Sequence, residues 1–115
     1  MPSKDPMLAL HAIFENISLA RQFLGKMSAA ELTADIRTLY AVIRCLEIVS
    51  EASRRLPEEM KQRHPDVPWS NIAGAGNIYR HDYERIDVHG IWKAAKFGLD
   101  ALEPAVADEL SRRRP

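Results

Sequence analysis

The sequence predicts an all-α fold, namely an antiparallel four-helix bundle with a short extra helical turn. Apolar residues recur at intervals of three and four along most of the chain, which is the period of an α-helix. No stretch alternates apolar and polar residues with the period of two that is typical of a strand. Only short segments separate the periodic runs, and short loops join neighbouring antiparallel helices in bundles.

The first predicted helix runs from about Met7 to Leu24. Pro6 precedes it, and proline is acceptable in the first turn because the amide that it lacks would have no partner there. Gly25 follows the last apolar position and is a typical helix terminator. The spacing therefore predicts an amphipathic helix with one apolar face.

The second predicted helix begins after Ser28, which with Glu31 three residues later has the pattern of a capping box. An apolar stripe continues from there without a proline or glycine, so we predict one long helix that reaches about Arg55. From Pro57 to Pro68 the helical period fails and three prolines interrupt the chain. We expect a connector there with one short helical turn.

Trp69 to about Tyr83 is predicted as the third helix. Two glycines, Gly74 and Gly76, oppose it, because each lowers helix propensity by roughly 1 kcal/mol relative to alanine. Glycines retained inside a helix indicate either close packing of another element or close approach of a ligand.

The fourth predicted helix starts at the N-cap residue Asp87 and keeps an apolar face to Val106. Pro104 should kink or divide it, because proline removes one hydrogen bond of the helix. The last residues, 111–115, have no apolar pattern and are expected to form a frayed tail. We predict a single domain over residues 1–115, because the length suits one core.

Composition restricts the function classes. Lysine plus arginine and aspartate plus glutamate number 16 each, so no overall positive charge attracts the protein to nucleic acid, and any RNA contact must be local. The single cysteine, Cys45, lies in an apolar helical pattern, which favours a reducing compartment without disulfides. The N-terminus does not resemble a signal peptide, and no apolar run is long enough to span a bilayer. We therefore expect a cytoplasmic protein with no membrane partner.

The polar residues that could carry chemistry concentrate at the end of the third predicted helix. Asn77 lies three residues before Arg80 and four before His81, so all three side chains leave one face of a helix and could contact one phosphate. Histidine exchanges protons near neutral pH, and arginine binds phosphate with two hydrogen bonds. The four histidines show no spacing typical of metal ligands, so we predict neither a metal nor a cofactor.

A series of motifs carries a resemblance to a known family. In chain order they are Pro68-Trp69, Gly74, Asn77, His81-Asp82-Tyr83, Ile86-Asp87 and Trp92, preceded by Ser50-Glu51-Ala52. Together they resemble the HepT-like ribonuclease toxins of the HEPN superfamily. That family carries a Gly-Glu-Ala step, then a Pro-Trp pair, a glycine, an Arg-Asn pair, a His-x-Tyr triplet, a Val-Asp step and a tryptophan. The resemblance covers nearly the whole chain.

The resemblance implies a HEPN-type helical bundle that pairs as a two-fold homodimer, and a metal-independent endoribonuclease that acts on RNA and not on DNA. From the motifs and the helical spacing together, we predict His81, Arg80 and Asn77 as catalytic residues, with Glu51 and Asp82 in supporting roles. The neighbouring 2′-hydroxyl of the RNA would attack the phosphodiester, His81 would move protons, and arginine would stabilise the developing charge.

The chain departs from the family at Gly76, where the signature arginine is expected. Arg80 lies four residues later on the same helical face, and we predict that it replaces that arginine. The alternative is a catalytically degenerate HEPN module that binds RNA or a partner protein without cutting. A third possibility is a structural helical adaptor whose polar segment is an interface.

The resemblance also implies a regulatory role for Tyr83. In the HepT family a minimal nucleotidyltransferase antitoxin modifies this tyrosine with AMP, which silences the toxin. A bulky negative group beside a phosphate site would block RNA by occlusion and repulsion. Without the resemblance, Trp69 and Trp92 are interpreted as core aromatics and Tyr83 as a half-buried one. Glu51 is then a surface carboxylate, and Arg80 an ion-pair partner of Asp82 or Glu84.

Overall fold

A computed structural model of the chain describes residues 5–81 and 87–112, with the backbone alone for residues 78–81. In these ranges every regular element is a helix, which confirms the predicted all-α class. The elements are α1 (Pro6–Leu24), α2 (Ala29–Ala34), α3 (Ile36–Arg54), α4 (Glu58–Gln62), α5 (Trp69–His81), α6 (Val88–Lys93), a π-helical turn (Ala94–Gly98) and α7 (Leu102–Arg112).

Helix α1 begins and ends where the sequence predicts. The Asp5 carboxylate accepts a hydrogen bond of 2.9 Å from the Met7 amide and caps the N-terminus. Gly25 ends the helix with a φ of 55°, a left-handed value that glycine adopts without steric cost. The capping box of Ser28 and Glu31 at the start of α2 is also present.

The prediction of one long second helix was wrong, because the chain breaks at Asp35 into α2 and α3. Asp35 has φ −118° and ψ 86°, which is not helical. Its carboxylate accepts bonds from the Thr38 amide at 3.1 Å and the Thr38 hydroxyl at 2.8 Å. These bonds lower the pKa of Asp35. A new N-cap inside an uninterrupted apolar stripe therefore divides the helix.

The fourth predicted helix is divided, but not at Pro104. The α-helical bonding of α6 changes to π-helical over Ala94–Gly98, and α7 starts at Leu102. Pro104 is the third residue of α7, where its missing amide would have no partner in the helix. Helix α7 then continues through Arg112, whose guanidinium contacts Asp108 at 2.9 Å.

The core lies between α1 and α3, with α5 packed on α3 and α7 packed on α1. Helix α2 also contacts α6. Cys45 is buried, as predicted for an apolar position, and burial raises the pKa of its thiol. The largest fully buried apolar side chains are Leu10, Ile13, Ile17, Leu32, Met60, Leu102, Val42, Val49 and Val106.

The connector between α3 and α5 contains the short helix α4, as predicted. Met60 on α4 is fully buried and fixes this connector to the core. The indole of Trp69, at the start of α5, donates to the carbonyls of Lys61 at 3.1 Å and His64 at 3.0 Å. Among the described helices, none is both long and apolar enough to cross a bilayer.

Candidate functional site

Helix α5 carries the polar segment, and its packing on α3 determines where that segment lies. Ser50 of α3 contacts Gly76, while Arg54, four residues further along α3, contacts Ala73. The residue further along α3 thus contacts the residue earlier on α5, so α3 and α5 are antiparallel.

Gly76 is the point of closest approach between the two helices. Its amide donates to the Ser50 hydroxyl oxygen at 3.0 Å, and that hydroxyl donates to the Ala73 carbonyl at 3.0 Å. A Cβ added at Gly76 would lie 2.9 Å from the Ser50 Cβ and closer still to its hydroxyl oxygen. Position 76 is therefore closed to any side chain, arginine included, unless Ser50 moves.

The two glycines of α5 differ in their surroundings. Gly76 is buried against α3, which agrees with the close packing expected from sequence. Gly74 is exposed, and a Cβ added there would have no heavy atom within 4 Å. The structure thus gives a packing reason for Gly76 and none for Gly74.

Arg54 is a candidate that sequence reasoning missed. Its Nε and Nη2 atoms both donate to the Ala73 carbonyl oxygen, at 3.0 Å and 2.6 Å. The Arg54 side chain is exposed. The carbonyl that it binds, that of Ala73, lies one helical turn before Asn77 on α5. The only signal in the sequence is that Arg54 follows the matched Glu51 by three residues, so the two share a side of α3.

The residues predicted to form the site lie on α5 and α3, but the structure describes only some of them. Asn77 is exposed on α5, and Glu51 is exposed on α3. Arg80 and His81 are the last two residues of α5, and their side chains lie outside the described part, as do Asp82 and Tyr83. The catalytic grouping therefore stays a prediction.

Glu51 lines a shallow cleft of about 220 Å³ on the surface of α3. The cleft mixes charges, since Arg44 contacts Glu47 at 3.5 Å within it. Arg55 also lines it, so positive and negative groups balance around Glu51.

A different histidine, His64, is part of an ion-pair cluster with α7. Its Nε2 lies 2.7 Å from Glu109 Oε2, while Arg63 donates to both oxygens of Glu109, at 3.0 Å and 2.7 Å. The Glu109 side chain is only 2% exposed. Its bonds with Arg63, strengthened by the contact with His64, lower the pKa of Glu109 to about 2. We refer to Arg63, His64 and Glu109 as the α7 clamp.

Two residues of the α7 clamp, together with the neighbouring Asp108, carry donor atoms that could hold a metal ion. Ligand atoms of His64, Asp108 and Glu109 lie within 4.8 Å of one another. However, the Arg63 guanidinium already binds both oxygens of Glu109. A divalent cation would have to displace that guanidinium or sit beside it, so the arrangement favours a structural ion pair.

Comparison with known proteins supplies the family. The family model described as Ribonuclease HepT-like matches residues 13–108. A protein of Thermococcus cleftensis named Probable ribonuclease HepT is 35% identical over 94 residues, which cover 82% of this chain and 86% of its own. A candidate RNase of Methanocaldococcus jannaschii is 34% identical over 106 residues, covering 92% and 97% of the two chains.

A second candidate RNase of the same organism is 37% identical over 92 residues, which cover 80% of this chain and 76% of its own. No solved structure matches this chain with significance. The family match includes Ser50, Gly76 and the whole polar end of α5, so the departure at position 76 lies within the matched region. This chain belongs to the HepT-like ribonuclease family.

Proposed function

We propose that this chain is a metal-independent endoribonuclease that acts as the toxin of a toxin–antitoxin pair in the cytoplasm. The observation that carries the proposal is the family match over residues 13–108, because it includes the polar segment that ends α5. The relatives named as ribonuclease HepT or candidate RNases support RNA as the substrate.

The proposed chemistry needs a proton carrier and a cation but no metal. The 2′-hydroxyl oxygen attacks the adjacent phosphorus while His81 accepts the hydroxyl proton. The bond from phosphorus to the 5′-oxygen then breaks, and that oxygen takes a proton from an imidazolium. Asn77 orients either the phosphate or His81. In a two-fold homodimer both copies of this group would line one cleft and concentrate a positive charge that the neutral chain lacks.

Two arginines are candidates for the cation. Position 76 is closed by Ser50, so the arginine role must be filled from another position. Arg80 lies one helical turn beyond Gly76 on α5, and we assign it this role. Arg54 is the arginine for comparison, because its guanidinium lies beside Ala73 and uses only two of its five N–H groups to bind that carbonyl, counted over the described residues.

The experiment that tests the proposal is cleavage of total cellular RNA by the purified protein in excess EDTA. We expect cutting by the parent and loss of at least about 100-fold in His81→Ala, which is the lower range for general acid–base catalysis. Arg80→Ala should lose a comparable factor if it binds the phosphate, while Arg54→Ala should retain activity.

Two outcomes separate this proposal from its alternative. His11→Ala is the matched control, since His11 is an exposed histidine on α1 outside the proposed site, and it should cut at a rate within a few-fold of the parent. If the correctly folded, unmodified parent does not cut RNA, the catalytically degenerate binding module is the better account. The closure of position 76 is the observation that favours that alternative.

The proposed regulation is addition of AMP to Tyr83 by a minimal nucleotidyltransferase antitoxin. Co-expression with a minimal nucleotidyltransferase antitoxin should add the mass of one AMP group to the parent and none to Tyr83→Phe. The modified protein should no longer cut RNA. A modified protein that cuts as fast as the parent would show that silencing works by another route.

A further inference from the structure

An exposed group of aromatic rings and a lysine lies on α6 and the π-helical turn. His89 stacks on Trp92 with ring centroids 5.9 Å apart and planes 22° from parallel. Phe97 meets Trp92 edge to face, also at 5.9 Å. Lys96 Nζ lies 4.8 Å from the centre of the Trp92 ring and 5.8 Å from that of Phe97. We call these four residues the ring cluster.

The π-helical turn brings the ring cluster together. Trp92 and Phe97 are five residues apart, and an α-helix places residues three or four apart, not five, on one face. A π-helix, with its bond between residues five apart, moves such a pair toward the same side. Short π-helical turns inside helices are rare and frequently occur at functional sites. Here the turn leaves the Phe97 ring 56% exposed.

The centre of the ring cluster is fixed to the core. The Trp92 indole donates to the Met27 carbonyl at 2.8 Å, and the ring is partly buried against core residues. A ring held in this way is ordered before a ligand arrives, which reduces the entropy lost on binding. Phe97 and His89 are exposed beside it and offer ring surface to a ligand.

Charge at this surface favours an anionic ligand. Lys93 and Lys96 are both exposed, although the chain as a whole is neutral. The two nearest carboxylates in sequence already have partners. Asp87 accepts from the His89 amide at 3.1 Å, and Asp100 binds Arg21 at 3.0 Å.

We propose that the ring cluster is a base-stacking subsite for single-stranded RNA, in which Phe97 stacks on a base and Lys96 contacts a phosphate. Exposed rings beside cationic side chains are how proteins bind single strands without a sequence preference. A contact between two copies of this chain is less favoured, because lysine is depleted at protein interfaces. The inference rests on the proposed ribonuclease function and adds where the substrate is held.

The chain connectivity places the subsite near the proposed catalytic end of α5. The backbone from His81 to Val88 can span at most about 25 Å, even when fully extended. Helix α3 also contacts both α5 and α6, so the two helices pack on the same element. Phe97 lies nine residues beyond Val88, which adds about 13 Å of helix. One RNA strand of several nucleotides is therefore long enough to reach both positions.

The test measures binding of a fluorescent 2′-O-methyl oligoribonucleotide, which the proposed route cannot cleave because it lacks a free 2′-hydroxyl. Phe97→Ala should weaken binding by roughly 5- to 150-fold, the range that corresponds to stacking of one base. Phe97→Tyr should restore binding, because it restores a ring. Tyr40→Ala is the matched control, since Tyr40 is an aromatic residue of α3 that is 65% exposed, and it should bind like the parent.

The phosphate contact proposed for Lys96 is tested by the salt dependence of RNA binding. Lys96→Gln should lower the slope of log affinity against log salt by about 0.7, which is the value for one phosphate contact on a single strand. Lys61→Gln, a partly exposed lysine on α4 and away from the ring cluster in sequence, should leave that slope unchanged. Circular dichroism of each variant establishes that the helices are intact.

The outcomes separate this inference from the proposed function. If the parent cuts RNA but Phe97→Ala binds as well as Tyr40→Ala, the subsite is wrong and the ribonuclease stands. If the parent neither binds nor cuts RNA, both are wrong. If Phe97→Ala instead dissociates a dimer without weakening RNA binding per protomer, the ring cluster is an interface between copies and the proposal is overturned.

Discussion

The chain contains two Arg-His pairs, Arg63-His64 and Arg80-His81, and the contrast between them separates stability from chemistry. The first pair binds Glu109, a buried carboxylate on α7, and joins the connector after α4 to the end of the fold. The second pair closes α5 in the segment that resembles the family's catalytic motif. Local sequence makes the pairs look equivalent, although their proposed roles differ.

The contrast shows that the role of a histidine depends on the residues that it contacts. His64 is 14% exposed and lies 2.7 Å from a carboxylate that is 45 residues away in sequence. That partner also takes two bonds from Arg63, so the cation is neutralised within the fold. A phosphate would have to compete with a buried carboxylate for these groups, which makes the first pair unsuitable as an RNA site.

The largest predicted effect on stability comes from removing the buried carboxylate. Glu109→Ala should lower the free energy of unfolding by about 2–3 kcal/mol, because Arg63 and His64 lose the buried carboxylate that they bind. Urea unfolding followed by circular dichroism measures this. Asp108→Ala is the matched control, since Asp108 is the exposed neighbour on α7, and it should cost under about 1 kcal/mol. Equal losses for the two variants would contradict a structural role for the α7 clamp.

Acid should weaken the α7 clamp in a defined range of pH. The pKa of Glu109 is lowered from 4.5 to about 2, so its stabilisation is fully present above pH 4.5 and is lost as the pH falls toward 2. A lowering of this size corresponds to at most about 3 kcal/mol. Unfolding free energies measured across that range should fall more steeply for the parent than for Glu109→Gln. Parallel curves would contradict the assignment.

Substitution of Gly76 should sharpen the comparison, because Gly76 sets how α5 packs and so where the second pair lies. Gly76→Ala should cost about 1–3 kcal/mol, since its Cβ would overlap Ser50. Ser50→Gly removes the overlapping atoms, so in the double variant the cost should be smaller than the sum of the two single costs. Additive costs, measured by urea unfolding, would show that the two residues do not interact.

The smallest predicted effect concerns the other glycine of α5. Gly74→Ala should stabilise the protein by up to about 1 kcal/mol, because alanine is the better helix former and the added methyl meets open space. Thermal unfolding monitors this change. A loss of stability would show that Gly74 is needed for backbone freedom that the described helix does not reveal.

Sequence patterns predicted much of the fold because most of its signals are local. The boundaries of α1, the capping box of Ser28 and the burial of Cys45 follow from residues within a few positions of one another. The family was also predicted from motifs, and the comparison with known proteins confirms it.

The features that were missed depend on distant or competing contacts. Asp35 breaks the second helix through a cap on Thr38 that competes with an otherwise continuous apolar stripe. The chain divides before Pro104, at a π-helical turn whose bonds to residues five apart have no marker in the sequence. The α7 clamp joins residues that are 45 and 46 positions apart, so only the fold reveals it.

The candidate site was predicted from motif order, and the structure adds the reason for its unusual feature. The motif resemblance predicts glycine at position 50 and arginine at position 76, and in this chain the Ser50 and Gly76 that occupy these positions contact each other. Spacing along α5 could not reveal this contact, because the partner lies 26 residues away on α3.

One measurement tests the central claim directly, namely the rate of RNA cleavage in EDTA and the free energy of unfolding for His64→Ala and His81→Ala side by side. We expect one variant to lose activity and the other to lose stability. His81→Ala should lose at least about 100-fold in rate and change stability by less than about 0.5 kcal/mol. His64→Ala should lose about 1–3 kcal/mol of stability and keep its rate while folded. Loss of cleavage in folded His64→Ala, with full activity in His81→Ala, would contradict the account.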